Sequence, residues 1–461
     1  MTKFKKENSS FRDRSGFLFF YEKNLYRAIN SSYKEDYDQL MSSGLYKKLV
    51  ELNLLVSHKE IDNLDVDFDY YKIIMPEYIP FISYPYEWSF NQLKDAALTT
   101  LKIQKISMKY DVTLKDASGY NIQFLRGKPV LIDSLSFEKY HEGQIWKPYK
   151  QFCQHFLAPI ALMAKKDVRF GQLLKLYIDG LPLDLTAKIL PKTTFGNFGL
   201  AAHIHAHSKS QMHYEDKDIK IKERTISKRS LEGIIESLMS SIKKLSWEPK
   251  KTEWGDYYSD TNYSNEAFEE KKQIIIDALD MIKPSSVFDL GANTGIFSRL
   301  SSNKNIPTIS FDIDPLAVEK NYLKSKQENE ENILPLILDL TNPSPAIGWG
   351  NIERKSIIGR SSSDLILALA LIHHLVISNN IPLDRLAQLF SELGQYLLIE
   401  FIPKSDSQVQ RLLLTREDIF DKYDQEHFEE DFSKFFEIIQ SKKISDSTRS
   451  IYIMKKLENQ G

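Results

Sequence analysis

Short apolar runs separated by polar segments of helix length dominate the C-terminal part of the chain. The runs occupy residues 286–290, 308–311, 334–338, 364–371 and 395–402. Unbroken apolar strands of this kind are typical of a parallel sheet that is covered on both faces. The pattern therefore predicts an α/β fold for this part of the chain.

Polar and small residues follow these strands, where each one ends. The first strand leads into a loop that contains Gly291 and Gly295; Asp312 ends the second strand, Asp339 follows the third and His374 the fourth. The carboxyl ends of parallel strands form the ligand-binding edge of open α/β sheets. Glycine permits unusual backbone angles and a close approach to a ligand. The spacing D-x-G-x-N-x-G differs from the dinucleotide-binding pattern G-x-G-x-x-G.

These segments resemble the class I S-adenosylmethionine-dependent methyltransferases. D-L-G-A-N-T-G is similar to the first motif of that family, F-D-I-D to the second, L-D-L to the third and A-L-A-L-I-H-H-L to the fourth. The resemblance extends roughly from Trp247 to the C-terminus. It implies a Rossmann-like domain with a mainly parallel seven-stranded sheet, and S-adenosyl-L-methionine as the cofactor.

The resemblance also implies which residues bind the cofactor. The glycines would border its methionine part with the first-motif aspartate close by, the second-motif aspartate would bind the ribose, and the residues after it and in the third motif would contact the adenine. The implied set is Asp289, Gly291, Asn293, Gly295, Asp312, Ile313, Asp339, Leu340 and Leu369. The alternatives are a glycine loop that serves packing alone and a methyltransferase relic without cofactor.

The fourth motif bears on the acceptor. An Asn/Asp-Pro-Pro-aromatic signature, which many methylases of adenine or glutamine amines carry, is absent, and His373 and His374 stand in its place. A histidine with a pKa near neutrality could deprotonate a hydroxyl or a carbon acid. We expect His374 rather than His373 to be this base. Alternatively the histidines only shape the loop, and the rate comes from alignment of the reactants.

The first 245 residues have a different organisation. Residues 1–75 predict a small α+β module, with strands at 17–21 and 25–29 and two helices within 33–54 that are separated by Gly44. Residues 76–245 predict a mostly helical region, with a strand at 78–83, a helix at 91–109, a hairpin at 122–133 and a helical segment at 146–165 that Pro159 interrupts.

Asp116, Asn121 and Asp133 stand in an order that resembles the catalytic lobe of protein-kinase-like phosphotransferases. The resemblance implies that Asp116 positions an acceptor hydroxyl, and that Asn121 and Asp133 hold the magnesium of ATP. The chain departs from that pattern: Leu114 replaces a histidine, Ser134-Leu135 replaces Phe-Gly, and residues 1–75 show neither a glycine-rich loop nor an assignable lysine. A pseudokinase-like scaffold, a nucleotide- or acceptor-binding site and an active phosphotransferase are the alternatives. The same residues could also cap a buried loop through Asx turns.

Other residues of this half carry weaker signals. Arg27 lies inside a strand and is expected to face outward, with a buried ion pair as the alternative. His203, His205 and His207 alternate in a segment that predicts a helix, so we expect solvated or capping histidines and no structural metal. Residues 208–228 are a candidate linker, and the aromatic segment 247–263 is either a lid or a packed connector.

Composition limits the function classes further. The 461 residues include 61 Lys and Arg against 63 Asp and Glu, a net charge of −2, so no basic excess indicates nucleic acid or an anionic membrane as partner. Cys153 is the single cysteine, which suits a reducing compartment. The N-terminus lacks an apolar signal segment, and no apolar run has membrane-spanning length. These features predict a cytoplasmic protein.

Taken end to end, the chain resembles bacterial methyltransferase-like proteins related to host-specific nodulation proteins. We therefore expect a kinase N-lobe-like module at 1–75, a kinase C-lobe-like region at 76–245 and a class I methyltransferase domain at 246–461. The expected activity is methyl transfer to a hydroxyl-bearing small molecule or glycan, with residues 1–245 binding the acceptor or a partner. A bifunctional kinase–methyltransferase, an RNA methyltransferase and a catalytically dead cofactor-binding protein are the alternatives.

Overall fold

A computed structural model of the chain describes residues 4–62, 64–206, 225–248, 264–414 and 416–458. The chain divides into two compact units. Unit 1 comprises Met1–Glu248 and Ala346–Lys355, and unit 2 comprises Pro249–Pro345 and Ser356–Gly461. The short segment Ala346–Lys355 therefore belongs to unit 1, although both of its flanks belong to unit 2. Sequence reasoning had included it in the methyltransferase domain.

The first half of unit 1 is built on a five-stranded antiparallel sheet of order β1-β2-β3-β5-β4. Its strands are β1 (Phe4–Lys6), β2 (Gly16–Tyr21), β3 (Asn24–Ile29), β4 (His58–Ile61) and β5 (Lys72–Pro76). Helices α1 (Lys34–Ser42) and α2 (Leu45–Glu51) lie between β3 and β4 in sequence. Gly44 separates them with a φ of +83°, a left-handed value that glycine adopts without steric cost. The predicted strands and the predicted break at Gly44 are confirmed.

The rest of unit 1 is mainly helical. Its helices are α3 (Phe90–Ser107), α4 (Tyr149–Phe152), α5 (Ala158–Lys165), α6 (Leu183–Ile189), α7 (Phe198–Leu200) and α8 (Lys228–Lys244). Two short antiparallel pairs accompany them, β6 (Val112–Leu114) with β9 (Phe137–Lys139), and β7 (Ile122–Leu125) with β8 (Lys128–Leu131). The predicted interruption near Pro159 is confirmed, because a π-helical turn, Cys153–Leu157, precedes α5.

Two sequence predictions in this mainly helical part of unit 1 are wrong. Residues 78–83 form no strand; Pro80 has no N–H for a ladder, and the N–H of Ser83 instead donates to Oε1 of Gln123 at 2.8 Å. His203 and His205 are buried rather than solvated. They lie in a π-helical turn, 2.7 Å from the Tyr149 hydroxyl and 2.8 Å from the Thr194 hydroxyl, respectively. His207, most of the candidate linker and most of the segment 247–263 lie outside the described residues.

Unit 2 is organised around a seven-stranded sheet of order β12-β11-β10-β13-β14-β16-β15. Five strands are parallel, and β16 runs antiparallel to both β14 and β15. The strands are β10 (Val287–Leu290), β11 (Thr308–Asp312), β12 (Ile333–Ile337), β13 (Ser363–Ala368), β14 (Gly394–Phe401), β15 (Phe436–Lys443) and β16 (Ser450–Lys456). The five apolar runs read from the sequence are the five parallel strands, each followed by a loop at the same edge of the sheet.

Helices separate these strands along the chain. They are α9 (Asn265–Ile282), α10 (Ser298–Ser302), α11 (Pro315–Glu328), α12 (Ile357–Arg360), α13 (Leu383–Leu393), α14 (Ser407–Leu413) and α15 (Gln425–Ser433). The apolar face of α9 packs against side chains of β10, β13, β14 and β16 in one buried cluster. This packing places the helix that precedes the first strand against one face of the sheet. Among the described residues, no helix combines the length and apolarity that crossing a membrane requires.

Candidate functional site

The loop after β10 is shaped by three left-handed residues. Gly291, Asn293 and Gly295 have φ values of +76°, +50° and +77°. The N–H groups of Gly291 and Ala292 both donate to the carbonyl of Phe311 at 2.9 Å, which fastens the loop to the end of β11. The loop therefore folds back across the carboxyl ends of two neighbouring strands, and Gly291 remains exposed at its tip.

Gly295 is packed too closely for any side chain. A Cβ at this position would lie 2.5 Å from Nδ2 of Asn321 and 2.8 Å from Nη1 of Arg299. The Arg299 guanidinium donates to the carbonyls of Thr294 and Gly295 at 2.8 and 3.0 Å, and it forms a two-bond ion pair with Glu330. The loop thus rests on a fixed guanidinium, which makes its backbone conformation rigid.

Asp312 joins the loop to the second strand. Its Oδ2 accepts the Asn293 N–H at 2.7 Å, and its Oδ1 accepts the Asp314 N–H at 2.8 Å. Burial raises the pKa of this carboxyl to about 6, although the two backbone donors lower it. The carboxylate is therefore held in one orientation beside the glycine loop, at the position expected for a ribose-binding acid.

Asp289 lies at the end of β10 and is buried. The Ser298 hydroxyl donates to its Oδ2 at 2.6 Å, and Ser310 in turn donates to the Ser298 hydroxyl at 2.7 Å. Burial raises the pKa of Asp289 to about 7, with Asp312 contributing and the Ser298 bond and Lys271 opposing. The charge of this carboxyl is thus sensitive to pH near neutrality.

The other predicted adenine contacts flank the same edge. Ile313 follows Asp312 directly and is 55% exposed, an apolar side chain available to a planar ring. Asp339 follows β12 and is half-buried, and its Oδ1 accepts the N–H and the hydroxyl of Thr341 at 2.8 and 2.7 Å. Leu340 beside it is half-buried as well. The N–H of Leu338 donates to the Asp312 carbonyl at 2.9 Å, so the third motif adjoins the second.

The segment after β13 covers the glycine loop from the other side. Leu369 is buried, and Ala370 adopts a φ of +50°, which is uncommon for a residue other than glycine. A Cβ on Gly291 would lie 3.2 Å from Cδ1 of Leu371. The structure therefore brings Leu369, at the end of the fourth strand, to the same edge as the glycine loop of the first.

The rings of His373 and His374 lie 4.0 Å apart between centroids and are tilted by 41°. Burial lowers the pKa of His374 to about 4. It also lowers the pKa of His373 well below its usual value, and His374, Arg449 and Lys271 add to this effect. The pKa of both histidines therefore lies below the near-neutral value on which the hypothesis of a histidine base depends, and burial is the main cause. Both imidazoles are neutral at physiological pH.

A buried network of charges beneath this segment was missed from the sequence. Lys271 of α9 donates to Oε2 of Glu400 in β14 at 2.7 Å, and the N–H of Ala370 donates to the same oxygen at 2.8 Å. Arg449 lies 3.7 Å from Glu400 and donates to Asp406 at 2.7 and 3.1 Å. The available signal was a glutamate within the apolar run L-L-I-E-F-I.

Asp116, Asn121 and Asp133 of unit 1 also lie close together. Oδ2 of Asp133 accepts the Ser136 hydroxyl at 2.8 Å, and Asn121 donates to the same hydroxyl at 3.2 Å. Asp116 is mostly buried, and its pKa is raised by burial and by Asp133. Within the described residues, no group of three or more His, Cys, Asp or Glu side chains is arranged to hold a metal ion.

Arg27 corrects a sequence prediction. The side chain is buried instead of facing outward, and Nη1 lies 2.6 Å from Oδ1 of Asp133 while Nη2 lies 2.5 Å from Oδ2 of Asp13. The buried ion pair, which was the alternative, is correct. Two carboxylates compensate the guanidinium where burial alone would be costly.

Comparison with known proteins identifies the family to which the chain belongs. No protein-family model matches the chain. The nodulation protein NoeA of Rhizobium meliloti (strain 1021) is 32% identical over 459 residues, which cover 97% of this chain and 96% of that protein. The chain belongs to the NoeA family.

Solved structures similar to this NoeA-family chain match less than half of it. Monomeric WbdD has 14% sequence identity and a TM-score of 0.30, and the match covers 43% of each chain. The N-methyltransferase NodS from Bradyrhizobium japonicum WM9 has 11% identity and a TM-score of 0.30 over 42% of this chain and 99% of its own. Magnesium protoporphyrin IX methyltransferase from Synechocystis PCC 6803 has 15% identity and a TM-score of 0.31 over 44% and 93%.

Proposed function

We propose that this NoeA-family chain is an S-adenosylmethionine-dependent methyltransferase that acts on a hydroxyl-bearing small molecule or glycan. The observation that carries the proposal is a hydrogen bond between the first two motifs. Asn293, whose φ is positive, donates its N–H to the carboxylate of Asp312 at 2.7 Å. This bond holds an acid beside an open glycine loop at the carboxyl edge of a parallel sheet. That edge is where ligands bind in such folds.

The residues at this edge fit the cofactor. Gly291 is exposed and leaves space where any side chain would meet Leu371, Asp312 offers lone pairs to ribose hydroxyls, and Ile313 offers an exposed apolar face to the adenine. Gly295 and Asp289 would lie near the methionine part. The remaining proposed contacts are Asn293, Asp339, Leu340 and Leu369. The bound cofactor supplies an electrophilic methyl group, and these residues bind and orient it.

The acceptor class is proposed from the chemistry of the fourth strand and from membership of a family with a nodulation protein. A neutral His374 accepts a hydrogen bond from a hydroxyl and orients its oxygen, but a pKa of about 4 makes it a weak base. Most of the rate would therefore come from alignment of the acceptor oxygen with the methyl group. The side chain of His373 is too buried to contact an acceptor directly, so it would support His374.

The first test is binding of S-adenosylhomocysteine. At a hundred times its Kd a ligand stabilises the native state by about 2.7 kcal/mol. For a unit of this size, that corresponds to a rise in Tm of roughly 5–11 °C. Asp312→Asn should abolish most of the shift. Asp364→Asn is the matched control, because Asp364 lies at the start of β13, away from the carboxyl edge, and accepts the N–H and hydroxyl of Ser285.

Turnover separates the remaining alternatives. Transfer of a tritiated methyl group to small-molecule or glycan fractions supports the proposal, whereas binding without transfer to any acceptor indicates a cofactor-binding protein. Transfer to RNA, with strongly salt-dependent binding, would indicate an RNA methyltransferase. If wild-type protein shows no shift with S-adenosylhomocysteine, the proposed function is wrong.

We further propose that residues 1–245 form a kinase-like scaffold without phosphotransfer activity. In support, the sheet order β1-β2-β3-β5-β4, the helices between β3 and β4, and the closeness of Asp116, Asn121 and Asp133 suit a kinase-like lobe pair. One contact argues against phosphotransfer. Nη1 of Arg27 lies 2.6 Å from Oδ1 of Asp133, and this ion pair engages the carboxylate that a magnesium ion would need as a ligand. ATP with magnesium should produce no shift in Tm. A shift that Asp133→Ala abolishes would instead establish the bifunctional alternative.

A further inference from the structure

The segment that covers the glycine loop begins with an unusual turn. Ala370 has a positive φ, and this turn directs Leu369 and Leu371 toward the edge where the cofactor is proposed to bind. Leu371 lies over Gly291, as the 3.2 Å distance to a Cβ there demonstrates. The N–H of Ala370 donates to Oε2 of Glu400 at 2.8 Å. An alanine does not favour this conformation by itself, so the bond has a conformational role.

Glu400 is held in place from two sides. Lys271 donates to its Oε2 at 2.7 Å, and Arg449 lies 3.7 Å from its Oε1. Arg449 is itself fixed by two bonds to Asp406. All four residues are at most 8% exposed. The carboxylate therefore has little freedom to turn away from Ala370.

We propose that Glu400 is a positioning residue of the cofactor site, held by Lys271 and Arg449 so that it fixes the turn at Ala370 and, through it, the position of Leu371 over Gly291. The inference rests on the proposed function, because it concerns how that site is built. Lys271 comes from α9, Glu400 from β14, and Arg449 directly precedes β16. The carboxyl edge of the central strands is thus positioned by the helix before the first strand and by the antiparallel edge of the sheet.

A matched pair of double variants separates positioning from charge. Both Lys271→Met/Glu400→Gln and Lys271→Met/Glu400→Leu remove the Lys–Glu charge pair without leaving either partner alone. Only glutamine offers an oxygen to the Ala370 N–H. The measurements are the Kd of S-adenosylhomocysteine by calorimetry, the Tm, and the hydrogen-exchange rate of the Ala370 amide by NMR without ligand.

We expect the leucine variant to bind S-adenosylhomocysteine about tenfold more weakly than the glutamine variant, because the half-buried N–H of Ala370 has lost its acceptor and no longer fixes the turn. The Ala370 amide should exchange faster in the leucine variant alone. Equal affinities together with equal exchange rates in the two variants would overturn the inference. A merely structural role would lower the Tm of both variants without this difference.

Two further results keep the test decisive. If the leucine variant does not fold, Glu400→Asp replaces it, since aspartate keeps the charge but withdraws the oxygen from Ala370 by one methylene; unchanged affinity and amide exchange would then refute the inference. If wild-type protein does not bind S-adenosylhomocysteine, the proposed function fails. The exchange rate of Ala370 still reports separately whether Glu400 fixes the turn.

Discussion

Replacement of Gly295 by alanine tests whether the glycine loop is as rigid as its contacts indicate. The substitution forces an alanine into a φ of +77° and places its Cβ 2.5 Å from Nδ2 and 2.7 Å from Oδ1 of Asn321. Nη1 of Arg299 lies at 2.8 Å from the same point and already serves three acceptors, the carbonyls of Thr294 and Gly295 and the side chain of Asn321. The neighbours cannot move without breaking these bonds.

The cost is the sum of three contributions. A left-handed alanine costs roughly 1–2 kcal/mol, and overpacking of a filled site costs about 1–3 kcal/mol. The lower backbone entropy of the unfolded alanine chain returns about 0.4–1 kcal/mol. We therefore expect Gly295→Ala to lower the free energy of opening of this segment by about 1–5 kcal/mol.

Two other glycines provide the controls. Gly44 has a φ of +83° and open space around it, and Gly233 is an exposed helical residue of α8 that is also without neighbours. Gly44→Ala should cost only about 1 kcal/mol. Gly233→Ala should stabilise its helix by about 0.8–1 kcal/mol.

Hydrogen–deuterium exchange by mass spectrometry measures these opening free energies segment by segment, so the two units can be compared. The clash argument predicts that Gly295→Ala costs clearly more than Gly44→Ala. It also predicts that adding Asn321→Ala costs less in the Gly295→Ala background than in the wild type, since the nearest atoms are removed. Equal costs for the two glycines would refute the argument that Asn321 and Arg299 are fixed.

Three further predictions concern charges. The folded pKa of Asp289, about 7, lies above its unfolded value of 3.8. The contribution of Asp289 to stability is thus fully present below the unfolded pKa and is lost as the pH rises through the folded pKa of about 7. In urea titrations from pH 4 to 8, the free energy of unfolding should therefore decline less with pH for Asp289→Asn than for wild type. Arg27→Met should lower the stability of unit 1 by about 3–5 kcal/mol because Asp133 loses its buried partner. In the same thermal melts Arg126→Met, which removes a solvent-exposed ion pair with Glu77, should cost at most about 1 kcal/mol. Since the pKa of His374 is about 4, this side chain should add no pH dependence to S-adenosylhomocysteine binding between pH 6 and 8. Calorimetry should therefore give the same pH dependence of the Kd for His374→Gln and wild type, and a difference near neutrality would contradict the prediction.

The five parallel strands of unit 2 could be predicted because burial on both faces leaves a direct mark on the sequence, whereas the two antiparallel strands at residues 436–443 and 450–456 were not located. Each parallel strand is an unbroken apolar run, and the residues that follow it, such as Gly291 and Asp312, necessarily share one edge. The helix break at Gly44 could also be predicted, since glycine adopts a left-handed backbone conformation without steric cost. These predictions depended on local sequence and on one general property of parallel sheets.

The strand at 78–83 and the solvated histidines were mispredicted because their environment is set by distant residues. Ser83 bonds to Gln123, and His203 lies near both Tyr149 and Ser237. A polar residue in an ambiguous segment can be exposed or internally satisfied, and only the tertiary partner decides which. The segment Ala346–Lys355 illustrates the same limit at a larger scale, since no local feature assigns it to unit 1.

Two of the buried ion pairs among the described residues, Arg27–Asp133 in unit 1 and Lys271–Glu400 in unit 2, have opposite consequences for the neighbouring motif. In unit 1 the Arg27 guanidinium occupies an oxygen of Asp133, so the carboxylate is less available to a cation. In unit 2 Lys271 holds Glu400 by one oxygen, and that oxygen also accepts a backbone N–H from the segment over the glycine loop. Removing the cation should therefore free a potential ligand in unit 1, whereas in unit 2 it should loosen the site. A buried ion pair beside a motif is thus evidence about function only when the second partner of its carboxylate is known.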